Sequence, residues 1–161
     1  MVKESAITTK DIWKILEQVT DPEVPVLTIT DLGIVRDVKL NGDEVEVIIT
    51  PTYTGCPAMD MISMNIRLAL IENGYHKIKI TSVLAPAWTT DWMSDAGKEK
   101  LKEYGIAPPY LQSGDTSDLI INCPQCNSSN TICISEFGST ACKALYQCND
   151  CKEPFDYFKC H

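Results

Sequence analysis

With 161 residues and a formal net charge of −8, the chain has room for one medium domain, or one domain plus a small appendage. It also lacks the cationic stripe that binding a phosphate backbone requires. Hydrophobic residues make up 44% and charged residues 22%, an ordinary globular balance. The opening MVKESAITTKDIW has no apolar run of a signal peptide, and nothing approaches the roughly 18 apolar residues of a membrane span; a cytoplasmic protein that meets neither nucleic acid nor membrane is expected.

In chain order, Thr8 with Asp11 three residues on reads as a helix start. Ile12, Ile15, Leu16 and Val19 follow at helical spacing until Asp21-Pro22 ends the run. "IVRDVKLNGDEVEVIIT" holds two β-rich runs around Asn41-Gly42, a hairpin signal because both residues tolerate positive φ. Residues 57 to 73 read as a helix that is apolar on most sides and closed by Gly74. "HKIKITSVL" alternates as a third strand, so strand, helix and strand imply a parallel crossover. A further helix is expected from Asp91 to Tyr104, closed by Gly105.

"GIAPPYLQSGDTSD" has the prolines, glycines and small polar residues of a linker. Beyond it come β-like runs in "DLIINC", "TICISEF" and "KALYQC" and a closing "FDYFKC". The expected organisation is an α/β domain with a small mixed sheet and helices over residues 1–106, a linker over 107–117 and a small unit over 118–161. A unit this short cannot bury enough apolar surface alone, and normally needs metal or disulfides.

The cysteines supply the answer. Cys56 stands alone in the first 122 residues, whereas seven of the eight fall from Cys123 to Cys160. In a reducing cytosol such thiols are more often ligands or reactive groups than disulfides. Cys123-Pro-Gln-Cys126 and Cys148-Asn-Asp-Cys151 are two C-x-x-C knuckles separated by 21 residues. Each offers two thiolates on a tight turn, and a hairpin that brings them together completes four-thiolate coordination of a tetrahedral ion. A structural zinc ribbon is expected at Cys123, Cys126, Cys148 and Cys151. Iron, as a rubredoxin-like centre or a cluster, stays open because thiolates alone do not select the metal. Cys133, alternating with Ile132 and Ile134, reads as a core thiol, and the roles of Cys142, Cys160 and His161 are left undecided. Acidic residues outnumber lysines in this unit, so a protein-docking ribbon is favoured over a nucleic-acid binder.

Cys56 precedes Pro57, a residue suited to the first position of a helix. That places Cys56 at the expected N-cap, where free N–H groups and the dipole favour a thiolate; a buried structural thiol is the competing reading. "DPEVP" sets Asp21 and Glu23 two residues apart in a proline-bracketed turn, a pair able to bind a metal or to be ordinary solvated loop. With no histidine near either motif, a base for Cys56 is not apparent.

"DPEVPVLTITDLGIVRDV" and "TPTYTGCPAMDMI" resemble the SufT-like family of iron–sulfur assembly factors: Asp21, Pro22 and Glu23 match one motif, and Thr52, Cys56 and Pro57 the other. "APAWTTDWMSDAGKEKLKEYGIAPP" and the cysteine-rich stretch to "FDYFK" extend the resemblance over nearly the full length to the PaaD family, the D proteins of bacterial phenylacetyl-CoA epoxidase systems. In that family an assembly-type domain is fused to a zinc ribbon. The resemblance implies an accessory, non-catalytic role in aerobic phenylacetate degradation. A multicomponent di-iron oxygenase epoxidises the ring of phenylacetyl-CoA there, fed by a flavin and iron–sulfur reductase. The implied task is to assist iron–sulfur cluster assembly in that reductase, with Cys56 a transient contact for iron or a cluster and Asp21, Glu23 and Thr52 nearby. Its partners would be components of the epoxidase complex. With two histidines the chain cannot supply the Glu-x-x-His ligands of a di-iron centre, and it has no flavin or nicotinamide fingerprint. A rubredoxin-like electron carrier and a purely structural component of the oxygenase complex are the alternatives.

Overall fold

The computed structural model describes residues 7–109 and 120–159. Helix α1 (Thr9–Leu16) starts where Asp11 Oδ2 accepts from the Thr8 backbone N–H at 3.1 Å and from the Thr8 hydroxyl at 2.7 Å. Ile12, Ile15 and Leu16 form its buried face. Strands β1 (Val35–Asn41) and β2 (Glu44–Ile49) make the expected hairpin, with Gly42 at φ +66° in the turn. Helix α2 (Ala58–Glu72) buries Ile62, Ile66 and Leu70, one stripe at four-residue spacing. Met61, Met64, Leu68 and Ile71 on its other side are exposed, which is why the sequence looks apolar nearly all round. Strand β3 (Lys77–Ser82) then pairs parallel to β2. The sheet order β1-β2-β3 is thus a hairpin extended by a helical crossover.

The helix expected from 91 to 104 is broken. A 3₁₀ turn (Thr90–Trp92) is followed by extended Met93, and α3 runs only from Asp95 to Glu103. The cause lies in the residue after the break. The Ser94 N–H donates to the Asp31 carbonyl at 2.9 Å instead of continuing a helical ladder, and the Ser94 hydroxyl accepts from the Gly97 N–H at 2.9 Å, making Ser94 the N-cap. Asp31 itself binds Lys100 Nζ at 2.6 Å and the Ser94 hydroxyl at 3.0 Å. Burial raises the Asp31 carboxyl, but hydrogen bonds from Lys100, Thr28 and Ser94 outweigh it and leave the group below its ordinary value. This knot fastens the loop between α1 and β1 to α3. Gly33 lies in the same loop at φ +71°, and a Cβ there would fall 2.4 Å from the Trp92 carbonyl oxygen, so only glycine fits.

Strands β4 (Ile106–Ala107), β5 (Thr131–Ser135), β6 (Lys143–Cys148) and β7 (Pro154–Phe158) form a second sheet in the order β4-β7-β6-β5. The chain therefore joins this sheet at residues 106–107, at the start of the stretch read as linker. The remainder of that stretch, 110–117, lies outside the described residues, as do Cys160 and His161. Two expectations for this unit fail. Residues 120–123 form no strand. Cys133 is exposed, not core, between Ile132 (49% exposed) and Ile134 (52%). β5 is an edge strand, and the unit's core of Ile121, Ala144, Phe155 and Tyr157 with Cys123 and Cys148 is too small to cover it.

The two sheets share a core. Cys142 and Phe158 are buried among the apolar residues of the first unit. Phe158 meets Trp88 edge-on, ring centroids 6.2 Å apart, and Trp88 Nε1 donates to the Leu32 carbonyl at 2.8 Å. Truncating a fully buried aromatic costs about 3–5 kcal/mol. Phe158→Ala is therefore expected to lower the denaturation midpoint and separate one transition into two, as read by calorimetry or urea unfolding.

Candidate functional sites

The C-x-x-C knuckles are two copies of one turn. In each, the N–H of the first cysteine donates to the carbonyl five residues on, Cys123 to Ser128 at 2.9 Å and Cys148 to Glu153 at 3.0 Å. The residue after each second cysteine is left-handed, Asn127 at φ 61° and Lys152 at φ 68°. Asparagine tolerates that region readily, whereas lysine is held there by its surroundings. The knuckles are also stitched together: Asp150 accepts from the Ser128 hydroxyl and from Asn130 Nδ2, and Asn149 Nδ2 donates to Asn130 Oδ1 at 3.0 Å.

This framework gathers the four sulfurs of Cys123, Cys126, Cys148 and Cys151 within 4.8 Å of one another. Cys123 and Cys151 stand 3.7 Å apart, Cys126 and Cys148 3.6 Å. A tetrahedral zinc ion with Zn–S bonds of about 2.3 Å requires sulfurs about 3.8 Å apart. The spacing and the all-thiolate donor set fit such an ion. The N–H groups of Cys151 and Asp150 bring the Cys148 thiol down to about 7. Against the pull of nearby backbone N–H groups, burial and the neighbouring cysteines hold Cys126 and Cys151 above the ordinary thiol value; binding a metal deprotonates all four.

A second cluster lies at the junction of the two units. Asp21, at the neck of the loop closed by the Thr20–Thr28 bridge, accepts through Oδ1 from the N–H groups of Glu23 and Val24, each at 2.8 Å. It is buried, and burial raises its carboxyl while those N–H groups and Lys143 oppose the rise. Cys56 follows Gly55, which sits at φ +80°, and its N–H donates to the Tyr53 carbonyl at 3.2 Å. Pro57, not Cys56, is the N-cap of α2, with near-helical angles of −68° and −19°. The expected cap position is thus one residue off, the regular helix beginning at Ala58. The Tyr53 hydroxyl lies beside the Cys56 sulfur; burial and the charge of Cys56 push it up to about 12.

Asp21, Glu23, Thr52 and Cys56 line one cavity of about 10 Å³, with Val24, Leu32, Ile34, Met59 and Ile62 as its apolar walls. The sequence names all four of these polar residues, and the fold brings them together. Thr52 also faces a larger neighbouring cavity of about 180 Å³. What sequence reasoning does not anticipate is the remaining wall: Cys142 and Phe158, from the second unit. The Cys142 thiol sits 3.0 Å from the Thr140 hydroxyl and points to Glu23 Oε2 at 3.8 Å. Burial raises this thiol, with the charges of Glu23 and Asp21 adding to it and Thr140 and Lys143 acting against it. No local signal marks Cys142, whose carboxylate partner Glu23 lies 119 residues away in the chain.

Comparison with known proteins falls along the same division. Residues 107–159 match the family model described as PaaD zinc beta ribbon domain, and residues 9–74 the one described as iron-sulfur cluster assembly protein. An Escherichia coli (strain K12) protein, named as the D component of a 1,2-phenylacetyl-CoA epoxidase, is 52% identical over 93% of this chain and 92% of its own. A Porphyromonas gingivalis protein named Fe-S protein maturation auxiliary factor is 36% identical over 66% of this chain and 99% of its own. Among solved structures, a DUF59 domain from Bacillus anthracis superposes with a TM-score of 0.54 at 29% identity, covering 57% of this chain and 89% of that one. Among the described residues no helix is long and apolar enough to cross a membrane.

The folding free energy of small metal units comes largely from ligation. Cys123→Ser is therefore expected to drop bound zinc from one per chain to near zero and to erase amide-exchange protection in β5–β7, with α2 still protected. Metal analysis paired with hydrogen exchange reads both.

Proposed function

Given that the chain belongs to the PaaD family, we propose that it is an accessory protein of a phenylacetyl-CoA ring-epoxidising oxygenase, and that it assists iron–sulfur cluster assembly in the reductase component. The observation that carries this reading is the shared cavity of Cys56, Glu23 and Asp21: a thiol and carboxylates on one wall form a donor set for iron, not an acid–base pair for turnover. Zinc held by Cys123, Cys126, Cys148 and Cys151 keeps the second sheet folded and supplies tetrahedral thiolate ligation without redox chemistry. The relative from Escherichia coli bears the name of an epoxidase component, and the one from Porphyromonas gingivalis that of a maturation factor. A protein that matures one member of the complex reconciles the two.

In this reading Cys56 is the ligand that takes iron or a nascent cluster and releases it. Metal ligation requires a deprotonated sulfur but no proton shuttle, consistent with the absence of histidine from the cavity lining. Asp21 is a positioning residue, since one of its oxygens is committed to the turn that presents Glu23.

Cys56→Ser is expected to fold normally and keep its zinc, yet leave the co-expressed reductase with a several-fold lower content of iron and acid-labile sulfide. Growth on phenylacetate should slow accordingly. Full cluster content beside the serine variant would refute the assigned role of Cys56.

A further inference from the structure

We propose that the cavity between the two units is a composite site for a single thiophilic metal cation of the iron(II) class, with Cys56 from the first unit and Cys142 from the second as its thiolate ligands and Glu23 as a third. This deepens the reading of Cys56 given above and rests on it for biological meaning, although the binding itself stands on the residues.

Three observations support the assignment. First, both cysteines line the same cavity, and the Cys142 thiol is aimed at the Glu23 carboxylate at 3.8 Å. Two thiols and a carboxylate, brought to one cavity by loops of the two units, form a mixed soft and hard donor set. Their donor atoms are not gathered as closely as the four knuckle sulfurs, so side-chain rotation closes them on an ion. Second, the space is that of one ion. A volume of about 10 Å³ is close to the minimum for a single water, so an assembled iron–sulfur cluster does not fit while the second sheet is in place. Third, the charges suit a cation. Asp21 and Glu23 face the cavity, and Lys143, next to Cys142 and buried, is the basic group acting on both Asp21 and Cys142. A divalent ion displaces the two thiol protons to solvent, and Lys143 offsets part of the negative charge that remains. No electron changes hands in this step.

The site is made only when the two units are docked. Cys142 leads directly into β6 at Lys143, and the Lys159 N–H donates to the Cys142 carbonyl at 2.9 Å, so its position is set by β6 and by the chain just after β7. The second unit thereby becomes a ligand donor as well as a docking module.

The test uses full-length, zinc-replete protein under anaerobic conditions, titrated with cobalt(II) as a spectroscopic probe and then with iron(II) in competition. One cobalt per chain is expected beyond the retained zinc, with a thiolate-to-cobalt charge-transfer band. Cys56→Ser and Cys142→Ser should each lose part of that band, the double variant all of it, and Glu23→Gln should weaken cobalt binding at least about tenfold. Retained zinc verifies that each variant's ribbon is folded, and Cys142→Ala provides a second variant at the packed position. If cobalt adds nothing beyond the zinc, or if the band depends on Cys56 but is unchanged in both Cys142 variants, the composite site is wrong, even where Cys56→Ser still impairs the reductase. If the band needs both cysteines yet Cys56→Ser leaves reductase clusters intact, the site stands and the maturation reading falls.

Discussion

The junction cavity exists only as long as the second sheet is folded, and that sheet is held by four thiols at its far end. β6 runs from Lys143, beside the cavity, to Cys148 in a knuckle, and β7 returns from Pro154 to Phe158, which lines the cavity again. A strand advances about 3.4 Å per residue, so the knuckles act through two short, paired rods. Among the described residues the unit's own apolar core comprises seven buried residues, two of them the knuckle cysteines Cys123 and Cys148. Without ligation, little apolar burial remains to offset the entropy of ordering roughly forty residues. The knuckles are thereby tied to the cavity without lining it.

The first unit needs no such device. Its core runs continuously from α1 through β1, β2 and α2 to Trp88 and Leu101, and Asp31 locks the loop that carries Asp21 and Glu23 against α3. The difference in how the units are stabilised suits a protein in which one part is a fixed platform. The wall from the other unit is joined to it chiefly through Phe158, Cys142 and their neighbours. An interface dominated by a few apolar contacts can open at moderate cost, and opening here would separate the two thiols.

The signals that were legible in the sequence are local ones. Asn41-Gly42 fixes a hairpin because two adjacent residues tolerate positive φ; Gly74 closes α2 for the same reason; the spacing of Cys123, Cys126, Cys148 and Cys151 implies their convergence because a C-x-x-C turn has little choice of shape. What was hidden depends on tertiary competition. The break at Met93 arises because Asp31, over sixty residues earlier, takes the Ser94 N–H. Alternation at Ile132, Cys133 and Ile134 suggests burial, but strand order decides which strand is covered, and β5 is at the edge. Pro57 marks the start of α2, yet the regular helix begins one residue later, at Ala58.

Cys142 is the most instructive of these. In the sequence it is one cysteine among seven in a ribbon that needs four, and its flanks, Ala141 and Lys143, carry no motif. Its surroundings are created by docking, which sets a thiol from the second unit against a carboxylate in a loop of the first. As a neutral thiol Cys142 donates to the half-buried Glu23 carboxylate, whereas its thiolate is opposed by burial and by the neighbouring carboxylates. A bound cation reverses that balance. Docking thus leaves Cys142 a neutral donor in the empty cavity and gives it reason to ionise only when a cation enters.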